Sequence, residues 1–192
     1  VEVLALARVA AAAGGRYASH LRSEDRTFWD ALDEAITIGR EAHLPVQVSH
    51  IKLGMTPLWG QADSVRRVLD RARGAGVDIS ADIYPYTYWQ AGLTVLFPAR
   101  DFSDRKEAER VLREIVTPDG LRIGTFAAHP AYAGRTLRDI ARERHEDPAT
   151  TLLALIRESR AWANTHNGND GESIVATGMD ARDVATLMAW PE

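Results

Sequence analysis

The stretch LPVQVSHIK, residues 44–52, decides the fold. It is short and rich in valine and isoleucine, and it follows a helical segment, Trp29 to Ala42, whose apolar positions are Leu32, Ala35, Ile36 and Ile38. The same layout stands on either side of it. Upstream, Val3 to Ala13 is alanine-rich and helical, Gly14-Gly15 ends it, and RYASHLR (16–22) reads as a strand. Downstream, Ala62 to Ala75 carries Val65, Val68, Leu69 and Ala72 at helical spacing, Gly76 ends it, and VDISADIY (77–84) is a third strand. A glycine is expected where a helix must pass through a left-handed residue before turning into a strand. Helices alternating with short strands at a period of roughly 30 residues predict parallel βα units and an α/β fold.

Past Tyr86 the pattern loosens. TYWQAGLTVLFPARDFS (87–103) reads as a long aromatic-rich connection. A helix at Arg105 to Ile115 and a strand at Leu121 to Ala127 follow. Two helices come next, near Leu137 to Arg144 and Pro148 to Trp162, then a strand at Ser173 to Thr177 and a helix at Met179 to Ala189. Only about five strands are present, against the eight that a (β/α)8 barrel needs. The choice is between an open α/β sheet and part of a larger barrel.

Composition narrows the function. The chain has 192 residues, 45% of them hydrophobic, and a net charge of −4 without long blocks of either sign. That is ordinary globular composition, and it argues against a nucleic-acid groove or a polybasic membrane patch. No apolar run is long enough to span a bilayer, and VEVLALARVAAAAGG reads as a helix rather than a secretion signal, so a cytoplasmic location is expected. Cysteine is absent, which excludes disulfides, thiolate ligands and a cysteine nucleophile within this chain.

Active sites of parallel α/β folds lie at the carboxyl ends of the strands. The three strand tips carry His20-Leu21-Arg22, His50-Ile51-Lys52 and Asp82-Ile83-Tyr84. Side chains alternate along a strand, so Val46, Val48, His50 and Lys52 share one face, and Ala18, His20 and Arg22 share another. Neighbouring strands run about 4.8 Å apart, which lets two tip histidines in matching phase reach one metal ion. His43, His129, His145 and His166 fit no ligand spacing and read as loop or surface residues. Trp29, Trp162 and Trp190 read as helix packing, whereas Trp59 and Trp89 stand after strand tips where they can line a pocket. Glu24, Asp25 and Arg26 read as a charge cluster at a helix N-terminus.

The segments GGRYASHLRSE (14–24), SHIKLG (49–54) with LWG (58–60), ADIYPYTYW (81–89) and HPAYAGRTLRDIA (129–141) resemble the N-acyl-D-amino-acid deacylases of the amidohydrolase superfamily. The likeness runs along nearly the whole chain in family order. It implies a zinc-dependent hydrolase acting on the amide of a small N-acyl-D-amino acid, built on a metal-dependent (β/α)8 barrel of the TIM type. In that resemblance His20 and His50 match two zinc ligands. Lys52 matches the lysine beside the metal, and Tyr84 the first tyrosine of Y-P-Y; both are candidates for catalytic and substrate-binding contacts.

The family's H-x-H, its metal-binding cysteine and its catalytic aspartate find no counterpart in residues 1–192. The expectation is therefore an incomplete barrel, later strands only, whose partner is the remainder of the same barrel. Two other readings compete: an amidohydrolase of cyclic amides, and a non-catalytic α/β module with structural histidines.

Overall fold

The structure is a computed structural model and describes residues 2–191. It divides into two compact units, one formed by residues 2–87 and 179–191 and the other by residues 88–178.

The first unit realises the helix-strand repeat. Helix α1 (Glu2–Ala12) precedes strand β1 (Tyr17–Ser19), α2 (Phe28–Ala42) precedes β2 (Val46–Val48), and α3 (Ala62–Gly74) precedes β3 (Ile79–Ala81). The strands form one parallel sheet in the order β1-β2-β3, with Tyr17 opposite Val46 and Val46 opposite Ile79. Gly14 and Gly76 take the left-handed φ values, 70° and 87°, that the helix ends called for. The fully buried faces explain the arrangement. Leu32 and Ile36 of α2, Val65 and Leu69 of α3, and Val46, Val48 and Ile79 of the sheet are all shielded from water. Each such side chain contributes roughly 1.5–3 kcal/mol through its removal from water. A smaller cluster of Ala7, Ile38, Ala42 and Leu44 seats α1.

The strands are shorter than expected: three residues each, with the histidines just beyond their ends. At the end of β2 the chain turns instead of extending, and His50 adopts φ 38°. Strict strand parity therefore stops at Val48.

Helix α7 of this unit spans the residues after 180, where Asp180 caps Ala181–Met188. Asp183, 4% exposed, accepts backbone N–H bonds from Gly60 (2.7 Å) and Ala62 (3.1 Å), which ties α7 to the start of α3. Trp190 packs as expected. Its indole donates to Asp70 at 2.8 Å and lies 3.8 Å beneath the Arg73 guanidinium.

The second unit departs from the repeat. The supposed connection after Tyr86 contains a strand, β4 (Tyr88–Ala91), and α4 (Arg105–Glu114) follows. Then come β5 (Leu121–Phe126), α5 (Leu137–Glu143), α6 (Pro148–Thr165) and β6 (Glu172–Thr177). Its sheet has the order β4-β6-β5, and both pairings are antiparallel. The last two strands are thus not further members of a parallel series. Their patterning gives the reason: β5 buries Leu121, Ile123 and Phe126 and exposes the residues between, the alternation of a sheet covered on one face. No helix among the described residues is long and apolar enough to cross a membrane.

Candidate functional site

The ends of β1, β2 and β3 are tied to one another by backbone bonds just past the strands. Ser49 N–H donates to Ser19 O at 2.9 Å, Ile51 N–H to Asp82 O at 2.8 Å, and Asp82 N–H to Val48 O at 3.1 Å. Asp82 adds a side-chain anchor. Its Oδ1 accepts the His50 backbone N–H at 2.7 Å and its Oδ2 accepts from Gln47 Nε2 at 2.8 Å. A left-handed backbone costs a non-glycine residue roughly 1–2 kcal/mol, so His50 holds φ 38° only because such contacts fix it.

The two histidines meet. His20 Nδ1 and His50 Nε2 face each other at 3.2 Å, with the rings edge to face and their centroids 4.7 Å apart. Two ligands of a tetrahedral zinc ion at about 2.0–2.1 Å lie roughly 3.3 Å apart. The pair of donor atoms therefore fits one zinc ion. Burial holds His20 below its ordinary pKa, partly offset by Glu24 and reinforced by Lys52 and His50, and only neutral imidazole can ligate.

Lys52 and Tyr84 complete the group the motifs singled out. Lys52 Nζ contacts His50 Nδ1 at 2.8 Å and lies 5.7 Å from the Tyr84 ring centroid. The Tyr84 and His50 rings are 6.5 Å apart. Lys52 is almost fully buried, and that burial lowers its pKa against the opposing pull of Glu24 and Asp82. Burial also pushes Tyr84 up to about 12, with Glu24 adding to the rise. Its hydroxyl is a neutral donor at physiological pH, buried and without a hydrogen-bond partner among the described residues. An unsatisfied buried hydroxyl is costly enough to need a purpose. Arg22 does not join the group; it turns to α2 and forms a bidentate pair with Glu34, both bonds 2.8 Å.

Glu24 corrects the sequence reading. It is not part of a helix-terminal charge cluster but lies inside the site, where its Oε1 accepts from Lys52 Nζ and sits 3.3 Å from His50 Nδ1 and 3.6 Å from His20 Nδ1. His20, Glu24 and His50 form the one group of three metal-competent side chains found among the described residues, their ligand atoms within 4.8 Å of one another. The signal was its place four residues after His20 in H-x-R-x-E. Gly54 lets Glu24 come so close: its N–H donates to Glu24 O at 2.8 Å, and a Cβ there would lie 2.7 Å from the same oxygen.

In fold, then, this chain is similar to part of an amidohydrolase: D-aminoacylase, whose structure defined a subset of amidohydrolases, superposes with TM-score 0.72 at 25% identity. That match covers 98% of this chain and 33% of the other. More narrowly, the chain is similar in sequence to N-acyl-D-amino-acid deacylases, as its motifs implied. It is 36% identical to N-acyl-D-glutamate deacylase of Alcaligenes xylosoxydans xylosoxydans over 154 residues, which are 80% of this chain and 28% of the relative. The N-acyl-D-glutamate deacylase of Bordetella bronchiseptica, solved with zinc and a phosphonate mimic of the tetrahedral intermediate, matches with TM-score 0.71 at 28% identity. It is covered over 33% of its length, by 97% of this chain. These relatives are amide-bond hydrolases, and the chain spans about a third of their length or less. No family model matches the chain.

Proposed function

We propose that this chain supplies part of the active site of a zinc-dependent hydrolase that cleaves the amide of N-acyl-D-amino acids, releasing a D-amino acid and a carboxylate. The observation that carries the reading is the 3.2 Å approach of His20 Nδ1 and His50 Nε2, a spacing suited to two ligands of one ion. These two side chains would hold the metal. Zinc bound in such a site lowers the pKa of water to about 7 and polarises a carbonyl.

The chain's own residues do the rest. Lys52, buried and paired with Glu24, offers a fixed positive charge to the acyl carbonyl or the substrate carboxylate. Tyr84 offers a protonated hydroxyl free to donate. Neither group needs to reorganise as charge develops on the substrate, which is the condition for effective electrostatic stabilisation. The parallel strands β1 to β3 correspond in this reading to part of a (β/α)8 barrel, whose other strands carry the remaining ligands and the carboxylate that moves the proton. The short coverage of the relatives supports that reading.

The test is hydrolysis of matched N-acyl-D- and N-acyl-L-amino acids by the full-length gene product, with bound zinc assayed in parallel. The D-enantiomer is hydrolysed, and His20→Ala and His50→Ala each abolish turnover and zinc retention. A protein that holds no zinc, or one that hydrolyses only cyclic amides, refutes the proposal.

A further inference from the structure

We infer that Gln47 is a positioning residue for the histidine pair. Aligned by Ser80, it holds the Asp82 carboxylate on the His50 backbone N–H and so fixes the turn that presents His50 Nε2 to His20. The inference rests on the metal reading given above and adds a residue to it.

Gln47 and Ser80 stand opposite each other on β2 and β3, on the face of the sheet turned away from the buried Val46 and Val48. The bonds among these side chains run in one direction. A carboxylate only accepts, so Gln47 presents its amide N–H to Asp82 Oδ2, at 2.8 Å, and its carbonyl to Ser80. The Ser80 hydroxyl donates to that carbonyl, and its other acceptor, Val46 O, is more distant at 3.4 Å. With Oδ2 occupied by Gln47, Oδ1 accepts the His50 N–H at 2.7 Å.

The turn after β2 is where this chain of bonds acts. The Asp82 backbone brackets it, with the N–H donating to Val48 O at 3.1 Å and the carbonyl accepting from Ile51 N–H at 2.8 Å. Those two bonds need no side chain, so the turn survives without the carboxylate. The His50 N–H between them is the group that the carboxylate holds, and His50 is the residue at φ 38°. Asp82 is exposed and Gln47 half-buried. An exposed carboxylate without a second contact spreads over its rotamers, and Gln47 supplies that contact from the more sheltered side. Releasing a left-handed non-glycine residue favours other conformations by about 5- to 30-fold. Apparent affinity for a metal falls with the fraction of molecules in the competent conformation.

Two readouts on the full-length protein test this: the φ of His50 in crystals of the metal-free protein, and the affinity for zinc alone against a competing chelator. Gln47→Glu sets a carboxylate against the Asp82 carboxylate. It should take His50 out of the left-handed region and weaken zinc binding by about 5- to 30-fold. Gln47→Leu removes the donor without adding a charge and gives the same losses, should the facing carboxylates prevent folding. Gln47→Glu/Asp82→Asn exchanges donor and acceptor: the new amide donates to the new carboxylate while its carbonyl still accepts from His50. This double variant restores both the wild-type φ and the wild-type affinity, a rescue that a residue serving stability alone would not give. Single variants with the wild-type φ and affinity overturn the inference, and so does a double variant no better than Gln47→Glu. A wild type that binds no zinc overturns the metal reading itself, while the φ of His50 still decides the positioning role.

Discussion

Replacing Lys52 with methionine removes a charge from the least exposed part of the site while keeping a similar apolar stem. The Lys52 side chain is 6% exposed and that of Glu24 17%. Removing one member of a fully buried ion pair costs about 3–5 kcal/mol, because the other charge is left without compensation. Glu24 retains some contact with water, so the loss should be about 2–3 kcal/mol. Methionine retains most of the lysine stem's packing, so little of that loss comes from exposed hydrocarbon. Adding Glu24→Gln neutralises the stranded carboxylate, and the double variant should return to within about 1 kcal/mol of the wild type. Urea unfolding of the wild type, both single variants and the double variant, at constant m-value, reads the coupling directly. Additive single effects, or a Lys52→Met loss below about 0.5 kcal/mol, would show that the pair is not the buried ionic contact described.

Other expectations concern the scaffold. Glu172 is pushed up to about 7 by burial, against the Leu93 N–H bond that favours its charged form. A pKa raised on folding means stability present below the unfolded value near 4.5 and lost as pH rises through about 7. Denaturation midpoints across that window should fall for the wild type and flatten for Glu172→Gln. Asp183→Ala deprives two backbone N–H groups of their acceptor at the start of α3 and should cost about 2–4 kcal/mol in chemical denaturation, with Asn, which keeps one acceptor, in between. Asp147 lies well below the usual carboxylate range because Thr150 and Arg105 bond to it, and it caps α6. Asp147→Ala should lower stability by about 1 kcal/mol, and refolding at pH 7 with an unchanged midpoint would refute that role.

The first three strands were legible because their partners are implied by their neighbours. Three consecutive helix-strand units at one spacing favour parallel neighbours in chain order, and β1, β2 and β3 pair that way; the register, with Val46 opposite Tyr17 and Ile79, was not read from the sequence. The meeting of His20 and His50 followed from strand-end position, although the turn at Ser49-His50 reached it by a route parity did not foresee. Two features stayed hidden for physical reasons. YWQA reads as loop because its pairing with Ile174–Thr177 is supplied by residues more than eighty positions away. Glu24 reads as a helix-terminal acid because local sequence cannot say which way a carboxylate points before a helix. Its true partner, Lys52, lies on another strand's loop. Asp82 was placed at a tip, but its bond to the His50 backbone depends on the tight turn there.

Gly54 carries a consequence for how such a site changes over generations. It has no left-handed φ, so backbone preference alone would admit alanine. What forbids a side chain is the Glu24 carbonyl 2.7 Å from where the Cβ would stand. A methyl group there is chemically inert, yet it must shift the peptide from which Glu24 reaches the histidines. A mutational screen scored on metal retention would therefore return position 54 among the inactivating hits. The lesion would map to a residue without a functional group, and the ancestral route to a bulkier residue there is open only if the segment carrying Glu24 moves first.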